Sequence, residues 1–261
     1  MLPGHLSVSY SNDAFDMDAD RANTPTLFSG GSGVLVRRPE LRGAAIGIAL
    51  GLIAVSLALA AVFSIVHGID WRFLTLVVVG NAVGWFYTAP PLRLIYRGYG
   101  EIATASTVGV LVPVVGYVAT GAPLVAELLW FLPMSLAYGV LFVFGVQLPD
   151  READAAFGKP NWTARMSRRS AIGVMTGLCL FATVWLAAVA LFADPVSRGL
   201  DAAVGVSVRP LAVASLVPTA AALAVLIGEL ADAGFAASRL PGPVILGAQM
   251  AFMIVANVIL V

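Results

Sequence analysis

Charged side chains are scarce in this sequence of 261 residues, and cysteine is nearly absent. Asp, Glu, Lys and Arg together make up 11% of the chain, whereas soluble domains average about 25%. This scarcity, with 59% hydrophobic residues, excludes an ordinary water-soluble domain. The formal net charge is zero, which removes the electrostatic case for binding nucleic acid. The single cysteine, Cys179, cannot form an intramolecular disulfide.

Several common catalytic patterns are also missing. The sequence contains no Walker phosphate-binding loop, no Ser–His–Asp arrangement and no haem-binding pair. His5 and His67 lie far apart and have no metal-ligand spacing. The first residues lack the charged segment and apolar core of a cleavable signal peptide.

What the sequence has instead is a series of apolar segments of about 20 residues, the length that crosses the ~30 Å core of a bilayer. There are seven: Arg42–Val66, Arg72–Thr88, Glu101–Thr120, Leu124–Leu148, Ser170–Phe192, Val206–Leu230 and Pro243–Val261. They are continuous and do not alternate, which predicts helices. We therefore predict a single all-α domain over residues 1–261, a multi-pass integral membrane protein with about seven transmembrane helices.

Basic residues sort to one side of these predicted spans. If the chain crosses the membrane at each segment, only Arg72, Arg198 and Arg209 fall on the other side. The positive-inside rule then places the basic side in the cytoplasm. The acidic motifs described below fall on the same side, which predicts an active site at the cytoplasmic face of the cell inner membrane.

The first acidic motif runs from Asn12 to Asp20. On a helix, Asp13, Asp16 and Asp20 stand at i, i+3 and i+7 and share one stripe, while Asp18 points away. Carboxylates this close repel one another unless a cation neutralises them, and hard oxygen ligands suit Mg²⁺. The alternative is a solvated acidic helix end or loop.

The second acidic motif contains Asp150 and Asp154, which are i, i+4 neighbours at the predicted end of an apolar helix. Acidic groups at a helix C-terminus oppose its macrodipole, so this placement favours a bound cation. The alternative is a polar helix end. Two carboxylate stripes on one side of a bundle predict a site for two Mg²⁺ ions that bridge a diphosphate.

A third motif, Tyr87 to Glu101, contains Pro90-Pro91, which ends the preceding helix and stiffens the turn. Arg93 and Arg97 follow, and a guanidinium binds phosphate or carboxylate through its planar fork. Ordinary juxtamembrane arginines bound to lipid phosphates are the alternative. A glycine-rich stretch, Phe28 to Gly33, is interpreted as a flexible linker, although its backbone N–H groups could also meet an anion.

The three motifs, in this order, resemble those of the UbiA superfamily of intramembrane prenyltransferases. The first matches NDxxDxxxD, the second DxxxD and the third YxxPPxR, and the 1,4-dihydroxy-2-naphthoate polyprenyltransferase branch looks closest. The resemblance implies transfer of a polyprenyl group from its diphosphate to a small aromatic acceptor in menaquinone or other quinone biosynthesis, with Mg²⁺ as cofactor. It also implies a family fold of nine membrane helices around a cavity.

Residue roles follow from the same resemblance. It implies metal binding by Asn12, Asp13, Asp16, Asp20, Asp150 and Asp154, with the five aspartates catalytic, and substrate binding by Asn12, Tyr87, Arg93, Arg97, Lys159 and Asn161. Many members carry a lysine where Ile95 stands, and Arg97 could take its place. Aromatic residues that could shelter an allylic cation are Trp85, Phe86, Tyr87 and Tyr138.

Two other readings remain open. The family's first helix and most of its second are not in the sequence, so we expect a misassigned start or a truncated, inactive relative. Intramembrane carboxylates also occur in ion-coupled transporters, although the acids here lie at span ends.

Overall fold

A computed structural model of the chain describes residues 2–22, 32–121, 124, 126–156, 161–192, 208–231 and 241–259. Over these ranges the chain forms helices and no strand, which confirms the predicted all-α class. The helices are α1 Leu2–Ala22, α2 Val34–Arg37, α3 Arg42–His67, α4 Trp71–Thr88, α5 Gly100–Ser106, α6 Val112–Ala119, α7 Leu132–Gln147, α8 Arg151–Ala156, α9 Arg168–Phe192, α10 Val208–Ala214, α11 Leu216–Leu230 and α12 Pro241–Ile259. A π-helical turn, Thr107–Leu111, joins α5 to α6.

Over the described residues, each of the seven predicted apolar segments is largely helical. Within the described ranges, five stretches are long and apolar enough to cross a membrane: Pro39–His67, Gly100–Ala119, Leu128–Gln147, Arg168–Leu191 and Val208–Leu230. The α4 helix is not among them, because Arg72 and Asn81 lower its hydropathy. In α12 the apolar stretch, Pro241–Ile254, is shorter. The chain is therefore a multi-pass, all-α membrane protein.

The turn between α3 and α4 shows how the sequence ends one apolar helix and begins the next. Gly68 closes α3 in the left-handed conformation, with φ of 64°, which glycine adopts without steric cost. Two residues later, the Asp70 carboxylate accepts a hydrogen bond from the Arg72 backbone N–H at 2.9 Å and caps α4. A short turn therefore joins α3 to α4.

The chain divides into two compact units, and the first comprises Met1–Ala103 and Val114–Gly121. In this unit α1 packs against both α3 and α4. Small residues allow the approach: a Cβ on Gly84 of α4 would lie 2.6 Å from the Val8 side chain of α1. Ala14 of α1 is fully buried and packs with Ala45 of α3. Close contact through small residues is how membrane helices associate, because lipid provides no hydrophobic drive.

The second unit comprises Thr104–Pro113 and Ala122–Val261. Its core is built on α7 and α9, with the fully buried side chains Leu141, Ile172 and Met175 among its members. Hydroxyl groups join α9 to α11: Thr176 donates to the Ala222 carbonyl at 3.2 Å. Such interhelical hydrogen bonds satisfy polar groups that lipid cannot.

In this unit α7 approaches closely the stretch that contains the end of α5 and the π-helical turn. A Cβ on Gly139 would lie 2.2 Å from the backbone oxygen of Ala105, which cannot move aside. We expect Gly139→Ala to lower the free energy of unfolding by about 1–3 kcal/mol or more through overpacking. Thermal unfolding of the purified protein in detergent measures the effect. Gly177→Ala on α9, where a Cβ meets nothing within 4 Å, is the matched control, and equal midpoints for both variants would refute the prediction.

Candidate functional site

The first acidic motif lies on α1, as its spacing predicts. Asp13, Asp16 and Asp20 are each partly buried along one stripe of the helix. Asp18 points away, with 91% of its side chain exposed, and pairs with Arg21 at 3.4 Å. The helix therefore separates three carboxylates that face protein from one that faces outward.

The chain just before α2 contacts the first of these carboxylates. The Ser32 backbone N–H donates to Asp13 Oδ2 at 3.2 Å, and the Ser32 hydroxyl donates to the same oxygen. The Ser32 oxygen in turn accepts from the Val34 backbone N–H at 3.2 Å. The predicted glycine-rich linker is described only from Ser32 onward, and there its end binds the acidic motif.

The loop after α4 contacts the same stripe of α1 from another direction. The Thr88 hydroxyl donates to Asn12 Oδ1 at 3.0 Å, and the Tyr96 hydroxyl donates to Asp16 Oδ1. Partial burial raises the pKa of Tyr96, and the hydrogen bond to Asp16 acts in the same direction. The phenol therefore stays protonated at neutral pH and remains a donor. This loop brings the first and third sequence motifs together.

The arginines of the third motif lie on this loop. Arg93 is exposed, adopts a positive φ of 46°, and places its guanidinium carbon 4.5 Å from the centroid of the Tyr96 ring. Arg97 Nη2 donates to the Pro91 carbonyl at 2.9 Å, which uses one of its five N–H donors to brace the loop. Tyr87 is partly buried near the end of α4. Substrate binding by Tyr87, Arg93 and Arg97 stays a prediction.

Tyr96 is the residue of this site that the sequence interpretation missed. It contacts a carboxylate 80 positions earlier, and no spacing rule relates residues so far apart. The available signal was its position in a short, arginine-bearing loop bounded by the proline pair and Gly98.

The second acidic motif departs from the predicted helix end. After α7 the backbone continues through a 3₁₀ turn, Leu148–Asp150, into α8. Pro149 is tolerated because it lies in the first turn of this 3₁₀ segment, where no N–H donor is needed. The expectation that both acids lie at a helix C-terminus was therefore wrong for Asp154, which lies in the first turn of α8, where the macrodipole favours an acidic group without a cation.

Asp154 is buried, with 8% of its surface exposed, and is held by Asn161. Asn161 Nδ2 donates to Asp154 Oδ2 at 2.6 Å, while Asn161 Oδ1 accepts from the Ala164 backbone N–H at 2.7 Å. Both ends of the amide are thus engaged within the protein, which favours a role in orienting Asp154. The side chain of Asp150 and the whole of Lys159 lie outside the described residues.

The oxygen ligands of the two motifs suit Mg²⁺ chemically, since hard cations take carboxylate and amide oxygens. Over the part of the chain that the structure describes, no group of three or more His, Cys, Asp or Glu residues could hold a metal ion by itself. The two motifs belong to different units. The meeting of Asp13, Asp16 and Asp20 with Asp150 and Asp154 around metal stays a prediction.

A comparison with models of protein families identifies the family of this chain. Residues 1–219 match the model of the UbiA prenyltransferase family. The chain belongs to this family. The match includes all three sequence motifs, and it confirms the resemblance that those motifs carry. No match was found among curated proteins or among solved structures.

Membership of the UbiA prenyltransferase family supports prenyltransferase activity in general. Family membership also fits the high hydrophobic content of the chain, because a protein that handles an apolar prenyl tail within lipid is in contact with apolar groups on all sides. The α1 stripe and the arginine-bearing loop after α4 are the candidate polar site within the first unit.

Proposed function

We propose that the protein transfers a polyprenyl group from its diphosphate to an aromatic acceptor, with Mg²⁺ as cofactor, at the cytoplasmic face of the cell inner membrane. One observation carries the proposal. The acidic stripe of α1 and the arginine-bearing loop after α4, separated by about 80 positions, are joined by the Tyr96–Asp16 and Thr88–Asn12 hydrogen bonds. Carboxylates beside an arginine-bearing loop suit a ligand that combines metal ions with phosphate.

The residues of the first unit fit such a ligand. Asp13, Asp16 and Asp20 provide hard oxygen ligands on one helix stripe, with Asp150 and Asp154 proposed to complete the set. When bound, Mg²⁺ would neutralise negative charge that grows on the departing diphosphate. Arg93 is exposed on the neighbouring loop, where its fork can bind phosphate oxygens.

The reaction then follows from the chemistry of an allylic diphosphate. The carbon–oxygen bond breaks, and the diphosphate leaves with the electron pair. The remaining allylic cation is attacked by a ring carbon of the acceptor, which loses a proton to a base. Water would capture the same cation, so the apolar helices must exclude it. Trp85 meets the Phe15 ring of α1 edge-on at 5.6 Å between centroids, and an aromatic face of this kind could shelter positive charge.

The acceptor that we propose is of the 1,4-dihydroxy-2-naphthoate type, which places the reaction in menaquinone biosynthesis. The PPLRL sequence of the loop and the stretch from Asp150 to Asn161 favour this branch. The alternative acceptors are of the hydroxybenzoate, homogentisate and chlorophyll types.

A direct assay tests this proposal. Purified protein in lipid receives a labelled prenyl diphosphate, Mg²⁺ and each acceptor in turn, and products are identified by mass. We expect a prenylated product of the naphthoate acceptor, with any loss of its carboxyl group as CO₂ read from the product mass, and stoichiometric diphosphate release. A product with a different ring would overturn the naphthoate assignment. No conversion with any acceptor, combined with ion or solute flux into proteoliposomes, would favour a transporter instead.

A further inference from the structure

Tyr96 contacts two charged residues of the first unit. Its hydroxyl donates to Asp16, and its ring lies against the Arg93 guanidinium. We propose that Tyr96 is a positioning residue that holds the Asp16 carboxylate and the Arg93 guanidinium at a fixed separation. This inference rests on the proposed function, in which Asp16 binds metal and Arg93 binds phosphate. It assigns a role to a residue that lies outside all three family patterns, since the YxxPPxR pattern ends at Arg93.

The hydroxyl contact acts on Asp16. Tyr96 donates to Oδ1, which restricts rotation of the carboxylate. An ionised carboxylate offers about four lone-pair sites, so one phenolic hydrogen bond is compatible with metal ligation. Carboxylates that bind metal are commonly hydrogen-bonded by neighbouring groups, and losing such a partner typically costs about 10–100-fold in metal affinity or activity.

The ring contact acts on Arg93. The guanidinium carbon lies 4.5 Å from the ring centroid, within the range of a cation–π interaction. Arg93 has a φ of 46°, which is unfavourable for a residue with a Cβ, so the surrounding loop must hold it there. The Arg93 backbone N–H donates to Ala89 at 3.1 Å, and the Tyr96 N–H donates to the Arg93 carbonyl at 3.0 Å. These bonds place ring and guanidinium in a compact turn.

Two substitutions separate the two contacts. Tyr96→Phe removes the hydroxyl and keeps the ring, whereas Tyr96→Leu removes both. Tyr99→Phe is the matched control, since Tyr99 lies on the same loop with 56% of its surface exposed. A merely structural role for Tyr96 would lower thermal stability without a selective change in metal affinity.

The first measurement needs no turnover. Mn²⁺ alone is titrated into the full-length protein in detergent, and free Mn²⁺ is followed by electron paramagnetic resonance. We expect Tyr96→Phe to weaken Mn²⁺ binding about tenfold, with an unchanged melting temperature without metal. Tyr99→Phe should bind as wild type. Wild-type Mn²⁺ affinity in Tyr96→Phe would overturn the inference, as would a fall in melting temperature that accounts for the weaker binding.

The second measurement is kinetic. Tyr96→Phe should raise the Mg²⁺ concentration for half-maximal rate about tenfold, and leave KM for the prenyl diphosphate within about twofold of wild type. Tyr96→Leu should raise that KM a further two- to fivefold, roughly the strength of an exposed cation–π contact. Equal KM values for the prenyl diphosphate in Tyr96→Phe and Tyr96→Leu would show that the ring contact with Arg93 has no role in binding it.

An Asp16→Asn variant distinguishes failure of this inference from failure of the proposed function. If Asp16→Asn is inactive while Tyr96→Phe matches wild type in both measurements, only the positioning role of Tyr96 is overturned. If Asp16→Asn keeps full turnover, the metal-dependent function itself is overturned, and this inference with it.

Discussion

Replacing Asp16 with Asn should lower prenyl transfer by about three orders of magnitude, whereas Asp18→Asn should leave the rate unchanged. Asp16 lies on the α1 stripe and is contacted by the Tyr96 hydroxyl. Asparagine keeps the shape of the side chain but loses the negative charge that a divalent cation needs. Removing several kcal/mol of charge stabilisation in the transition state corresponds to roughly a thousandfold in rate.

Asp18→Asn is a matched control for Asp16→Asn, because Asp16 and Asp18 belong to the same acidic segment of α1. Asp18 is 91% exposed, and its pairing with Arg21 at the surface contributes little to stability. Labelled diphosphate release from wild type and both variants, in the same lipid and at saturating Mg²⁺, measures the difference. Equal rates for the two variants would show that the stripe has no catalytic role.

Removal of divalent metal should abolish turnover, again by about a thousandfold or more. Mg²⁺ should restore the rate, and Mn²⁺ should restore part of it. Ca²⁺ should not, because it prefers longer bonds of about 2.3–2.6 Å and more ligands than Mg²⁺. The experiment is chelator treatment, removal of the chelator, and readdition of each ion before diphosphate release is measured.

Chelation should leave the fold intact, since the described helices of each unit pack through apolar and small residues. Circular dichroism before and after treatment checks this point. Undiminished turnover in the chelated protein, with helicity preserved, would contradict a metal-dependent reaction.

How far the sequence could predict the fold depended on the range of the interactions involved. Apolar segments of bilayer length predicted the long helices, because each helix satisfies its own backbone within one segment. The orientation of Asp18 away from Asp13, Asp16 and Asp20 was also predictable, since helical period alone sets it. The second motif was harder: Asp150 and Asp154 were predicted at the end of an apolar helix, yet a 3₁₀ turn accommodates Pro149 and the helical path continues to Ala156.

Sequence by itself therefore determined the all-α membrane class, the approximate helix bounds and the carboxylate stripe of α1, since each depends on neighbours within a few turns. Only the tertiary structure decided that Ser32 binds Asp13, that Tyr96 binds Asp16 and that Arg93 stacks on the Tyr96 ring. It also decided that Asn161 holds Asp154 from beyond the end of α8. These contacts depend on where the loops return in space, and that follows from the packing of α1 against α3 and α4, and of the helices of the second unit, rather than from any local periodicity.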